Sequence, residues 1–336
     1  MKCKTVSTGS WPGRIVFASA SLILSLCGAS LWAQKQTVPQ PAIHVNVERV
    51  DVGVMVTDSR GKFVEGLRRD DFHVFDNGVE QPVTDFASVE EPAQVLLLVE
   101  AGPAVYFLQD AHIFVADALL SGLSAGDQVA VARYTEAPLA LLDFSPDKSS
   151  AQAALDRIRF NLGFGQLNLS TSLLGVLDWL ASVPGKKTIV LISTGVDTSS
   201  PTAIEALQSR LRVGDVRILA VSMSGPLRNG KEGSKRTVQQ TQQGLESADA
   251  RLRTITEATG GQAFFPENAK AFQETYRQIA QLVRHEYSLA FAPPGADGAV
   301  HSIDVQVDTN KESGKEKTPA YRVDHRNAYL APKPPA

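Results

Sequence analysis

Three carboxylates, Asp70, Asp71 and Asp76, lie close together in the chain, and oxygen-rich groups of this kind can hold calcium. Turns with solvated acids use the same residues, and that is the assignment the sequence favours. The histidines, His44, His73, His112, His285, His301 and His325, are scattered without the spacing of a metal or acid–base cluster. Each reads as structural or solvated. The chain has no Gly-x-Ser-x-Gly elbow, no His-Glu-x-x-His helix and no Gly-x-x-x-x-Gly-Lys-Ser/Thr phosphate loop, so hydrolase and NTPase chemistry lose their usual carriers. Gly163-Phe164-Gly165 looks like part of a dinucleotide turn, but it lacks the third glycine and follows a helical stretch where a strand is required. Arg228, Lys231, Lys235 and Arg236 cluster in residues 224–243, which hold hardly any apolar side chain. That segment is expected to be a long exposed loop, with the four cations as candidate partner contacts.

The elements that must position these groups follow from hydrophobic patterning. Val95 to Val99 is continuously apolar and too short for a helix, as in a strand buried on both faces of a parallel sheet. Val129 to Tyr134, Thr188 to Ser193 and Arg217 to Ser222 repeat the pattern, with helical stretches at 104–123, 148–159, 171–182 and 202–212. Alternation of this kind predicts an α/β fold with a doubly wound, mostly parallel sheet. Further helices are expected at 245–259 and 268–284, around Gly260-Gly261 and a short strand at Ala263 to Phe265.

Both ends of this α/β domain (94–285) carry β patterns. Upstream, residues 43–58 alternate as a strand or bent strand pair. Phe72 to Phe86 then reads as a hairpin around Asn77-Gly78, giving a β unit over 43–88. Downstream, Tyr287 to Phe291, Ser302 to Asp308 and Tyr321 to Val323 form a β extension over 286–331. The first 33 residues read as a secretory signal: Lys2, Lys4 and Arg14, then an apolar run from Ile15 to Leu26, then Ala33. Cleavage there would remove both cysteines, Cys3 and Cys27, and leave a net charge of minus 6, against nucleic-acid binding. An exported, periplasmic or secreted protein without membrane insertion after cleavage is the expectation.

VLLLVEAGPA at 95–104 resembles the first strand and loop of von Willebrand factor A (VWA) domains. VMVTDSRGKFVEGLRRDDFHVFDNGVEQPVTDF at 54–86 and HEYSLAFAPP at 285–294 resemble the flanking β segments of the VWFA-related acidobacterial-type family of exported proteins. Together they cover roughly residues 43–331. The resemblance implies a Rossmann-like sheet wrapped by helices, with a small β unit built from both chain ends, and a binding role in place of catalysis.

It also implies a cation site, in which VWA domains use an Asp-x-Ser-x-Ser loop, a threonine and a further aspartate. Glu100 replaces the first aspartate, Gly102 and Ala104 replace the serines, Thr171 matches, and Thr194 stands where the last aspartate would be. Pro103 fixes φ within the first loop and removes a donor. The residual candidates Glu100, Thr171 and Asp197 offer few charged oxygens to magnesium or manganese. No metal or other cofactor is expected, with Glu100 solvated and Thr171 serving as a helix cap. The leading expectation is a non-enzymatic module that binds a protein partner. It ranks ahead of a metal-dependent adhesion module with an altered magnesium or manganese site, and further ahead of a cryptic hydrolase.

Overall fold

The computed structural model describes residues 49–90, 92–102, 118–160, 165–228, 235–308 and 321–333. The expected signal segment, the first residues of the expected N-terminal strand, most of the helix expected at 104–123, Pro103, Ala104, Gly163, Phe164, Lys231, His44 and His112 lie outside them.

The strands are β1 (Val50–Thr57), β2 (Phe72–Asp76), β3 (Val79–Gln81), β4 (Asp85–Glu90), β5 (Gln94–Glu100), β6 (Gln128–Tyr134) and β7 (Pro138–Ser145). They continue with β8 (Lys187–Ser193), β9 (Arg217–Ser222), β10 (Ala263–Phe264), β11 (His285–Phe291), β12 (Val300–Val307), β13 (Arg322–His325) and β14 (Ala328–Leu330). The helices are α1 (Lys148–Asp156), α2 (Leu169–Leu180), α3 (Pro201–Arg212), α4 (Ser224–Arg228), α5 (Lys235–Ala258) and α6 (Ala269–Leu282). Residues 118–122 are also helical.

Six strands form the central sheet in the order β10-β9-β8-β5-β6-β7. Its pairs are parallel except β6 with β7. The fold is α/β and Rossmann-like. Strands β5, β8 and β9 are buried along nearly their whole length and alternate their side chains between two cores. Leu96, Leu98, Ile189, Leu191 and Ile218 meet α2, α3 and α5 on one face. Leu97, Val99, Val190, Ile192 and Leu219 meet α6 and the accessory strands on the other. Both faces being covered explains the continuous apolar runs.

The remaining strands form two antiparallel sheets, β13-β1-β11-β4 and β14-β12-β2-β3. Each mixes strands from before and after the α/β segment. Asn77 and Gly78, at φ 48° and 80°, close the β2–β3 turn with Asp76 opposite Val79, as the Asn-Gly pair predicts.

Two sequence expectations change. Residues 135–147, left without an element by the patterning, hold β7, whose side chains are mostly half-buried or exposed, so neither a buried run nor a clean alternation marks it. Residues 224–243 are not one exposed loop: α4 begins on buried Ser224, and α5 runs unbroken from Lys235. Its Gln-rich start has adequate helix propensity despite few apolar residues, and buried Leu245, Leu252 and Ile255 further along anchor it to the sheet.

Candidate functional site

Counting only the central strands in chain order, the sheet runs 3-2-1-4-5-6, and its order reverses between β5 and β8. Ligands of open α/β sheets settle beyond the carboxyl ends of strands at such a switch point. Glu100 ends β5 and Ser193 ends β8, so the sequence candidates do reach that edge.

Glu100, however, is fully buried instead of solvated. Its Oε2 accepts hydrogen bonds from Thr194 N at 2.8 Å, Thr194 Oγ1 at 2.8 Å, Ser193 Oγ at 3.0 Å and Tyr134 Oη at 3.3 Å; Thr194 Oγ1 also lies 3.0 Å from Oε1. Tyr134 and Ser193 are joined at 2.7 Å. Burial raises the Glu100 pKa, and the donors from Thr194, Ser193 and Tyr134 offset part of that rise.

Asp197 belongs to a neighbouring set. Its Oδ2 accepts from Ser170 Oγ at 2.5 Å and its Oδ1 from Ser199 N at 3.0 Å. Burial acts to raise its pKa, but the hydrogen bonds from Ser170 and Ser199 outweigh burial and hold it below the ordinary value. Thr171 donates from its N and Oγ1 to Ser199 Oγ at 3.2 and 3.3 Å. It is not the helix cap: α2 starts at Leu169, with Asn168 in the cap position. Thr171 and Asp197 thus meet through Ser199, while Glu100 is tied into a separate group.

This donor set does not fit a hard divalent cation, which needs several oxygens with lone pairs directed at one point. The carboxylates instead face hydroxyls and amides of the protein itself. Among the described residues no three His, Cys, Asp or Glu side chains converge as a metal site.

A third carboxylate repeats the arrangement at the end of β9. Asp249 Oδ1 accepts from Ser222 Oγ at 2.9 Å and Ser224 Oγ at 2.8 Å, and Oδ2 pairs with Arg228. Arg228 itself is exposed, and it lies on α4 where a loop was expected. Lys235 and Arg236 fall on the first turn of α5. Gly225 to Lys231 does spell Gly-x-x-x-x-Gly-Lys, but Glu232 stands where a phosphate loop has its hydroxyl. Gly225 is buried in α4, where an added Cβ would lie 2.4 Å from Pro266 O, so it makes no open cradle.

Of the carboxylates near the hairpin, Asp70 is exposed, whereas Asp71 and Asp76 are buried and not, as expected, solvated. Asp76 is buried between His301 Nδ1 at 2.8 Å and Tyr329 Oη at 2.7 Å, and Asp71 Oδ2 accepts from Arg68 N at 2.7 Å. In the sequence Thr194 reads only as a lost ligand, and Tyr134, Ser170 and Ser193 are passed over as donors. The one available signal was the Ser193-Thr194 pair closing an apolar strand.

The solved structures that this chain resembles include von Willebrand factor A domains. A von Willebrand factor type A protein from Catenulispora acidiphila is 12% identical, with 84% of this chain and 74% of that one covered, at a TM-score of 0.45. An aerotolerance-related membrane protein from Bacteroides fragilis is 13% identical over 56% of this chain and 98% of that one, TM-score 0.42. The manganese-loaded TRAP protein of Plasmodium vivax is 13% identical over 79% and 100%, TM-score 0.42. No family model and no curated protein matches the sequence.

Proposed function

We propose that this protein is an exported, non-enzymatic protein-interaction module of the VWFA-related acidobacterial type, whose metal-ion-dependent adhesion site has become a metal-free hydrogen-bonded lock. The observation that carries the reading is the Glu100 carboxylate, buried and saturated by Thr194, Ser193 and Tyr134. In the resembled family an aspartate at the Thr194 position would add negative charge beside the first loop. Here a hydroxyl and an amide donate to Glu100 instead, so the second ligand has become a partner of the first. A lock of this kind keeps the switch-point loops rigid without a cation, and partner recognition then rests on their outer surface. Arg228, Lys231, Lys235 and Arg236 are the cationic residues proposed for that contact.

Calorimetric titration with magnesium and with manganese tests this directly. No saturable heat is expected, and pull-down of a partner from the cell envelope should be unchanged by a chelator. Stoichiometric binding lost in both Glu100→Ala and Thr171→Ala would instead establish the altered adhesion site.

A further inference from the structure

The opposite end of the central sheet is built from charges. Lys187 opens β8 and Arg217 opens β9; Lys186 precedes β8, and Arg326 follows β13 in the first accessory sheet. These four line one cleft of about 240 Å³, a volume suited to a small ion and below that of most organic ligand pockets. Three carboxylates line it too, yet each is engaged. Asp51 pairs with Arg49 from outside the cleft at 2.7 Å, and Asp215 pairs with Lys187 at 2.7 Å. Glu286 is shared, 2.9 Å from Arg217 Nη2 and 3.3 Å from Lys186 Nζ. Four cations thus face three carboxylates along the lining.

Arg217 is the telling residue. Its side chain is only 8% exposed, and while Nη2 holds Glu286, its Nε and Nη1 have no hydrogen-bond acceptor. Arg326 repeats this: Nη2 donates to Asp51 O at 2.6 Å, and Nε has no acceptor. Buried guanidinium donors are costly to leave unmatched, and their fork geometry suits the oxygens of a phosphate or carboxylate. At Gly53 an added Cβ would lie 2.9 Å from Glu286 Oε2 and 3.3 Å from Arg217 Nη2, so the missing side chain leaves these groups uncovered. The unmatched Arg217 nitrogens are closed off from solvent as the side chain stands, so reaching a ligand requires a change of the Arg217 rotamer.

We propose that this cleft, between the amino ends of β8 and β9 and the first accessory sheet, binds a small dianionic oxyanion of the phosphate class, free or as a phosphomonoester. The ligand takes its hydrogen bonds from Arg217 and Arg326 and its charge balance from Lys186 and Lys187. It also joins the two sheets, since Arg326 and Glu286 come from one and Arg217 and Lys186 from the other.

Calorimetry of the full chain with inorganic phosphate and with glycerol 3-phosphate, at constant ionic strength in chloride, tests the site. Saturable one-to-one binding is expected, weakened roughly tenfold or more in Arg326→Gln and in Arg217→Gln. Binding of both probes supports an esterified ligand, and binding of phosphate alone supports the free ion. If Arg217→Gln fails to fold, Arg326→Gln, checked by circular dichroism, decides by itself. Absence of saturable heat with either probe, or affinity unchanged in the folded variants, would overturn the proposal.

Discussion

The two ends of the central sheet solve the same problem in opposite ways. At the carboxyl ends of β5, β8 and β9, buried Glu100 and Asp249 and half-buried Asp197 are hydrogen-bonded mostly by hydroxyls and backbone amides, with Arg228 added at Asp249. At the amino ends of β8 and β9, Glu286 and Asp215 are met by lysine and arginine, with cationic donors left over. Hydroxyl donors satisfy a carboxylate without adding charge, which leaves Glu100 costly to ionise. Cations favour ionisation, and despite burial Arg217 and Lys186 hold Glu286 below its ordinary pKa. The described acids at the carboxyl end are thus matched by hydroxyls, amides and one arginine, while the amino end keeps guanidinium donors without an acceptor.

The largest test of this contrast removes the shared acid of the charged end. Glu286→Ala should cost about 3–5 kcal/mol in urea denaturation, because it strands Arg217 as an uncompensated buried charge. A loss near that of an exposed ion pair, below about 1 kcal/mol, would mean that the cleft is well solvated.

Glu100→Ala should cost about 2–4 kcal/mol, since Thr194 N, Thr194 Oγ1, Ser193 Oγ and Tyr134 Oη lose their acceptor beside a new cavity. A near-neutral result would break the idea of a lock.

Glu100→Gln sharpens the comparison through pH. Burial raises the folded pKa of Glu100 above 4.5, so its favourable contribution is present below the unfolded pKa and is lost as pH rises through the folded one. The glutamine variant should therefore match the parent near pH 4 and exceed it at pH 8, by about 1 kcal/mol for the neutral replacement of a buried charge. Glu286 has the reverse sign: its lowered pKa gives stability above 4.5 that disappears on acidification. Denaturation midpoints of Glu100→Gln and Glu286→Gln across pH 4–8 should move in opposite senses.

The smallest effect belongs to the second accessory sheet. His301 sits between Asp297 Oδ2 at 3.1 Å and Asp76 Oδ1 at 2.8 Å, and Asp297 together with Asp76 raises its pKa above 6.5. Stability from this imidazolium is complete below 6.5 and lost as pH rises through the higher folded value. His301→Gln should flatten the fall in thermal midpoint between pH 6 and 8; an unchanged slope would assign that fall to another group.

The buried strands were readable because burial on both faces leaves an unbroken apolar run, and the β2–β3 turn because few residues other than Asn-Gly accept two positive φ angles. The site was not readable in the same way. Glu100 is an acid at the end of an apolar strand, and its donors lie 34, 93 and 94 residues away, so no local pattern could show that it is enclosed. Nor does any spacing link Arg217 with Glu286, which come together only because β11 packs beside the start of β9. Resemblance directed attention to Glu100, Thr171, Thr194 and Asp197, which the structure places at or just beyond the carboxyl ends of β5 and β8. That Thr194 turns its amide and hydroxyl toward Glu100 is visible only in three dimensions.

The first accessory sheet has a consequence for how the chain acquires its structure. β1 has as its ladder partners β11, which begins at His285, and β13, which begins at Arg322. Val50 is matched with Phe291 and Val54 with His325. A chain emerging from its amino end therefore carries an apolar strand that must wait for these ladder partners until the whole α/β segment between them has been made. Such long-range pairing is slow and leaves an edge open to other chains meanwhile. It favours completion of the fold after synthesis and release, when both ends can zip into the same sheet.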